Sequence, residues 1–192
     1  MADTARHNVA LFGPAGSGKG TQAEYLKRQL GLEHIATGEM LRRERARGTE
    51  LGQTLAAYLD AGKLVPDEVI VAMLRHRLSD PQADAGFVLD GFPRTVAQAK
   101  ALQEMLAMLE RPLDVAVVLD VPNEQLVARL ARRAEMEDRG DDTPEVIAER
   151  LRIYHDQTEP VLEYLAQTIS LVRLDGAQPV ADVSQDLLQA ID

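Results

Sequence analysis

The chain has 192 residues, 45% of them hydrophobic, which suffices for one domain with a substantial core and argues against both disorder and a pair of domains. Its 21 Lys and Arg against 31 Asp and Glu give a net charge of −10, which opposes nonspecific binding to nucleic acid or to an anionic membrane. The absence of cysteine excludes disulfides and thiolate zinc or iron–sulfur sites, so any metal used should be a hard ion.

Residues 1–8 are polar and carry nothing like a signal peptide, and no apolar run approaches a membrane span, so a cytoplasmic protein is expected. The apolar run 9–12 reads as a strand and leads into Gly13-Pro14-Ala15-Gly16-Ser17-Gly18-Lys19-Gly20-Thr21. Glycines there let successive N–H groups face an anion, Lys19 adds a mobile charge, and the helix expected over 20–30 presents its positive end to the same place. A tight turn with an exposed lysine is the bland alternative, but the glycine spacing between strand and helix favours nucleoside triphosphate binding. The general rule GxxxxGK[ST] wants a hydroxyl directly after the lysine; here Gly20 takes that slot and Thr21 follows it.

A weak strand at 34–36 is followed by helical patterns over 39–47, 51–61 and 67–78, with Gly31 and Gly62 where helices should stop. Next come a strand at 87–89, the turn Asp90-Gly91-Phe92-Pro93-Arg94-Thr95, a helix over 96–109, a strand at 115–119 and a helix over 124–135. The chain closes with a helix over 144–166, a strand at 169–174 and a helix over 180–191. Strands alternating with helices predict an α/β fold, a parallel sheet wrapped by helices. Between residues 132 and 142 apolar periodicity gives way to dense charge, which suits a short mobile connection.

Three further groups bear on chemistry. An Asp at the carboxyl end of an apolar strand is where a phosphate-binding fold of this kind holds Mg²⁺, directly or through water. Asp90 is preferred, with Gly91 permitting close approach and Arg94 offering a guanidinium; Asp120, a rival with the same local pattern, is followed by Val121-Pro122 with no charge and reads as polar strand punctuation. Second, Arg129, Arg132, Arg133, Arg139, Arg150 and Arg152 crowd a short stretch of an acidic chain. Arg132 and Arg152 read as salt-bridged surface residues, whereas the others gain meaning if a polyphosphate needs several guanidiniums at once. Third, Thr95 and Gln98 have capping-box spacing, so Gln98 has a structural role available to it besides any contact with a ligand.

Taken together, GPAGSGKGTQA from Gly13, ATGEMLR from Ala36, GKLVPDEV from Gly62, LDGFPRTVAQA from Leu89 and DRGDDTPEVIAERL from Asp138 resemble the adenylate kinases, within the nucleoside monophosphate kinases. They run in family order over most of the chain, and the Gly20-Thr21 irregularity is the family's own form of the phosphate loop. The resemblance implies a three-layer α/β/α fold with a five-stranded parallel sheet, a small helical AMP-binding insertion at 36–65 and a short lid at 132–142.

It further implies that Gly16, Ser17, Gly18, Lys19, Gly20 and Thr21 hold the ATP phosphates, with Lys19 spanning the transferred group. Thr37, Arg42, Lys63, Leu64, Val65, Gly91, Phe92, Pro93, Arg94 and Gln98 would hold AMP, Arg42 and Arg94 on its phosphate and Gln98 on its adenine. Arg129 and Arg133 fall on the ATP side, Arg139 and Arg150 would close over both phosphate chains, and Gln178 lies where backbone meets the ATP adenine. Asp90 is assigned Mg²⁺, through water.

The chain departs from the family pattern at Ala15, where proline is common, and at Ala36, where serine is frequent. It has the short lid, with no structural zinc implied. The implied reaction is ATP plus AMP to two ADP. An AMP phosphate is largely dianionic at neutral pH, its second pKa being about 6, so no general base is required. His7, His34, His76 and His155 accordingly fall in none of the phosphate motifs. A UMP or CMP kinase of the same architecture, or a nucleotide-binding module without phosphotransfer, are the competing expectations, and a monomer with ATP and AMP as its partners is the family's.

Overall fold

The computed structural model describes residues 7–83, 85–137 and 143–191. Its sheet is parallel throughout, formed by β1 (His7–Phe12), β2 (Glu33–Ala36), β3 (Gly86–Asp90), β4 (Val115–Asp120) and β5 (Ser170–Asp175), in the order β2-β3-β1-β4-β5. The central strands are apolar on both faces because both faces are covered. Val9 and Leu11, with Val88, Val115 and Val117, point to one side and pack with Ala23 and Leu26 of α1 (Lys19–Leu30) and Leu187 and Ile191 of α9 (Val180–Ile191). The alternate residues Ala10, Phe12, Phe87, Leu89, Ala116 and Val118 face the other side. There they meet α4 (Asp67–Leu78), α5 (Val96–Met108) and α8 (Glu159–Leu165), and the same core takes in Leu41 of α2 (Thr37–Ala46) and Leu55 and Leu59 of α3 (Glu50–Asp60). The expected three layers are present.

Helix ends follow local chemistry. Thr49, Thr95 and Thr143 cap α3, α5 and α7 (Pro144–Ile153), each hydroxyl accepting from the backbone N–H three residues on, at 3.0, 3.1 and 3.4 Å. Such caps are each worth about 1 kcal/mol. Gly31 ends α1 in the left-handed region at φ +70°, its N–H returned to the Lys27 carbonyl.

The continuous helix expected over 144–166 is a correction. Residues Tyr154–Thr158 form a π-helical turn, so α7 ends at Ile153 and α8 begins at Glu159. Pro160 explains the break: lacking an N–H, it cannot extend an α-helical ladder, and a wide turn in which the Glu159 N–H reaches the Tyr154 carbonyl absorbs the mismatch. The helix α6 (Asn123–Glu137) runs on past residue 135 into the segment expected to be a lid; residues 138–142, with Arg139, lie outside the described residues. No helix among the described residues is long and apolar enough to cross a membrane.

Parallel strands send all their carboxyl ends to one edge. There, Gly13 follows β1, Thr37 follows β2, and Asp90, Asp120 and Asp175 close β3, β4 and β5. With β1 flanked by β3 and β4, the loop after it sits at the middle of that edge, the usual ligand position of an open α/β sheet.

Candidate active site

A cavity of about 730 Å³ opens at this edge. The loop after β1 forms its floor. Gly13 turns at φ +138°, and a Cβ there would stand 2.8 Å from the Leu119 carbonyl oxygen and 2.6 Å from the Ser17 hydroxyl, so the turn requires glycine. Residues 15–21, Ala15 among them, line the cavity. Ser17 is buried and its hydroxyl has no protein partner, while Thr21 is exposed.

Lys19, at the start of α1, folds back over the loop and donates from Nζ to the Gly13 and Pro14 carbonyls at 2.7 and 2.9 Å. Burial lowers its pKa to about 8; Asp90 works the other way, and Arg94 and Arg133 add to the lowering. The ammonium therefore sits in a place unfavourable to it, satisfied by two carbonyls that an incoming phosphate chain can replace.

Asp90 faces Lys19 across the floor. Burial opposes its charge, but the His34 imidazole, with Nε2 3.7 Å from the Asp90 Oδ2, and the Lys19 and Arg94 cations outweigh that and hold its carboxyl below the usual range. It is ionised at neutral pH. The rival, Asp120, is taken: Arg173 on β5 grips it with two hydrogen bonds of 2.7 and 2.8 Å. That ion pair makes Asp120 a strand-to-strand tie. No cluster of three His, Cys, Asp or Glu side chains that could cage a metal exists among the described residues. The donor set thus fits an ion coordinated mainly by phosphate and water, with one protein carboxylate beside it.

The turn after β3 carries the next group. Gly91 adopts φ +84°, and a Cβ would come within 3.0 Å of both the Arg94 guanidinium and the Thr37 hydroxyl. That closeness lets the Arg94 Nε donate to the Gly91 carbonyl at 2.8 Å and the Thr37 hydroxyl donate to the Asp90 carbonyl at 3.1 Å. Arg94 lies at the base of the cavity with Phe92 and Pro93 beside it. Burial lowers its pKa, Asp90 opposes this, and the neighbouring Arg150 and Arg42 reinforce it.

Arg42 of α2, Arg129 and Arg133 of α6 and Arg150 of α7 complete the lining, together with Gly176 and Gln178 from the turn after β5. Arg129 donates to the Gly176 carbonyl at 3.0 Å, which ties α6 to that turn. Six cationic side chains on four elements and one loop thus meet in one cavity of a chain with net charge −10. By contrast, Arg152 is spent on Glu149 and Asp156 at 2.7–2.9 Å, as a surface ion-pair reading expects.

The remaining predicted residues stand apart from that lining. Thr37, Val65 and Gln98 are buried, Leu64 is partly so, and Lys63 is exposed. The turn before Lys63 packs on α7, since a Cβ at Gly62 would touch Val146 and come within 3.5 Å of the Arg150 Cγ. Gln98 fills half of the capping role its spacing allows: Thr95 accepts from its backbone N–H, but its own Oε1 reaches past the cap residue and accepts from the Arg94 N–H at 2.8 Å.

Sequence reasoning missed two contributors. His34 was set aside, yet it touches Asp90, because β2 lies next to β3 with Ala36 opposite Asp90. Period-2 alternation gives a strand its faces but not its neighbours. The π-helical turn supplies Tyr154 and Thr158 to the cavity wall, and the Thr158 hydroxyl donates to the Arg94 carbonyl at 3.2 Å. Pro160 was the available signal, overridden by the apolar pattern around it.

A family model described as adenylate kinase matches residues 11–170. Among curated relatives, an adenylate kinase of Stenotrophomonas maltophilia (strain K279a) is 49% identical over 183 residues, 95% of this chain and 98% of its own length. One from Cyanothece sp. (strain PCC 7425 / ATCC 29141) is 46% identical over 184 residues, 96% of this chain and 94% of its own. Another, from Thermobifida fusca (strain YX), is 45% identical over 183 residues, covering 95% and 97%.

Proposed function

The chain belongs to the adenylate kinase family, and from that premise we propose how its residues divide the work. Its reaction is phosphoryl transfer from ATP to AMP, giving two ADP. The donor triphosphate lies in the loop 16–21, with Lys19 leaving the Gly13 and Pro14 carbonyls to follow the transferred group and Arg129 and Arg133 beside the same chain. The acceptor phosphate meets Arg42 and Arg94, and Arg150 reaches both, with Arg139 joining from the lid. Residues 36–65 act as the AMP-binding insertion and 132–142 as the lid. The convergence of six cations on one cavity in an acidic chain is the observation that carries this assignment.

The chemistry that follows is electrostatic. Two polyanions must be held in line, and their repulsion is the barrier the site removes. The AMP oxygen attacks as it stands, since its phosphate is already ionised, so no side chain needs to take a proton. Asp90 would hold Mg²⁺ through its water shell, and the chemistry supplied there would be positive charge beside the donor triphosphate. Gln178 backs the ATP adenine through the turn that Arg129 holds. Gln98 contacts the AMP adenine, supported by Thr37, Lys63, Leu64, Val65, Gly91, Phe92 and Pro93. The protein acts as a monomer in the cytoplasm with nucleotides alone as partners, consistent with one chain carrying both phosphate sites and with a net charge that opposes nucleic acid and membrane.

Acceptor choice tests the assignment. In a coupled assay of ADP formation, AMP is expected to exceed UMP and CMP by at least about 100-fold in kcat/KM. Comparable rates with a pyrimidine acceptor would move the chain to the UMP/CMP reading of the same fold.

A further inference from the structure

Gln98 is 3% exposed, and its carboxamide is held at both ends. Its Oε1 accepts from the Arg94 backbone N–H at 2.8 Å, and its Nε2 donates to the Asp67 Oδ1 at 2.6 Å. Asp67 is the first residue of α4, and its other oxygen is 3.4 Å from the Thr95 hydroxyl, the cap of α5. A backbone N–H can only donate and an ionised carboxylate can only accept. Turning the amide over would set oxygen against carboxylate and N–H against N–H, so this pair of partners permits one orientation.

A carboxamide has two N–H groups and two acceptor sites on its oxygen. One of each is spent, which leaves one donor and one acceptor without a protein partner among the described residues. We propose that Asp67 is a specificity-determining positioning residue. By fixing which end of Gln98 donates and which accepts, it makes the acceptor site choose a base whose edge carries an exocyclic amino group beside a ring acceptor nitrogen. Adenine has that edge. Hypoxanthine, guanine and uracil present a carbonyl beside a ring N–H, the reversed pattern, and meet two unmatched polar pairs. Nothing in Asp67 touches the base; it acts through Gln98. The inference rests on the assignment of Gln98 to the acceptor base.

AMP and IMP differ only at this edge, so their kcat/KM ratio is the readout, measured for the wild type, Asp67→Asn, Gln98→Ala and the double variant. An asparagine can present its N–H₂ to a reversed Gln98, removing one of the two conflicts. Asp67→Asn is therefore expected to cut the AMP-over-IMP ratio by about 10-fold, chiefly through KM, and to change nothing further in the Gln98→Ala background. Asp67→Ser, whose hydroxyl both donates and accepts, should relax the ratio likewise; thermal midpoints and KM for ATP verify that each variant is folded. A wild-type ratio in both Asp67 variants, with Gln98→Ala collapsing it, overturns the role of Asp67 and leaves that of Gln98. An equal effect of Asp67→Asn with and without Gln98 also overturns it, since Asp67 would then act by another route. A Gln98→Ala enzyme that still prefers AMP as strongly as the wild type removes the base contact itself.

Discussion

Replacing Arg94 by alanine is expected to lower kcat by about 10³-fold or more while leaving the protein folded, measured by coupled ADP formation beside a thermal melt. The guanidinium stands at the base of the cavity, braced by the Gly91 carbonyl, with Arg42 and Arg150 nearby. Burial and those two cations all act against its charge, while Asp90 works the other way. An arrangement that disfavours a cation when no anion is present is an anion site, and its removal should relieve repulsion. The melting midpoint of Arg94→Ala without nucleotide is therefore expected to stay level or rise, the opposite of what loss of a structural ion pair would do. Arg94→Lys keeps the charge but not the planar fork and should recover only part of the rate. Near-normal turnover in a folded Arg94→Ala would remove Arg94 from the acceptor phosphate.

Lys19 leads to the second large effect. If Lys19 follows the transferred group as proposed, Lys19→Met is expected to cost about 10²–10³-fold in kcat, since that charge is lost while the backbone of the loop remains. Its titration gives an independent check. In the free site its pKa is about 8, lowered first by burial. A triphosphate favours the ammonium and raises that value. At pH 8.5 about three quarters of Lys19 is neutral before ATP arrives, so binding should take up about 0.7 of a proton from this residue. At pH 7 the residue is largely charged in both states and the uptake shrinks. Calorimetry in buffers of different ionisation enthalpy reads it directly, and Lys19→Met should abolish the pH 8.5 component. The same shift affects folding in a definite direction. Between pH 8 and about 10.5 the unfolded chain binds more protons at Lys19 than the folded one, so this residue's cost to stability fades as pH rises through that window.

How much of this was legible in the sequence depends on how local each feature is. The runs at 9–12, 87–89 and 115–119 announced central strands because both sheet faces are buried there and no polar residue interrupts them. The Gly13–Lys19 turn was legible because its chemistry is contained in seven residues. Adjacency was not. Nothing in the chain says that β3 lies between β1 and β2, and so the contact of His34 with Asp90 could not be foreseen. The preference for Asp90 over Asp120 could be drawn from Gly91 and Arg94 beside it, but not the partner that occupies Asp120, since Arg173 lies fifty-three residues beyond it and reaches across from β5. The break between α7 and α8 was hidden because helical apolar patterns lie on both sides of Pro160, while the one extra residue of a π-helical turn is set by backbone hydrogen bonds that such a pattern does not report.

Gln98 illustrates why a structural and a functional reading of one residue need not compete. The bond to the Arg94 N–H uses one acceptor site of its carboxamide and Asp67 uses one N–H, so the proposed base contact would draw only on the other half of the group. The Thr158 hydroxyl likewise holds the Arg94 backbone through its carbonyl and leaves the guanidinium free of that contact.

The proposed function requires that one continuous, cation-lined cavity align two phosphate chains end to end. Calorimetric titration with two adenosines joined by five phosphates tests it most directly. One ligand per chain is expected, bound at least about 100-fold more tightly than ATP or AMP alone, and weakened by Arg94→Ala and by Lys19→Met alike. Two ligands per chain, or binding that ignores one of those substitutions, would contradict it.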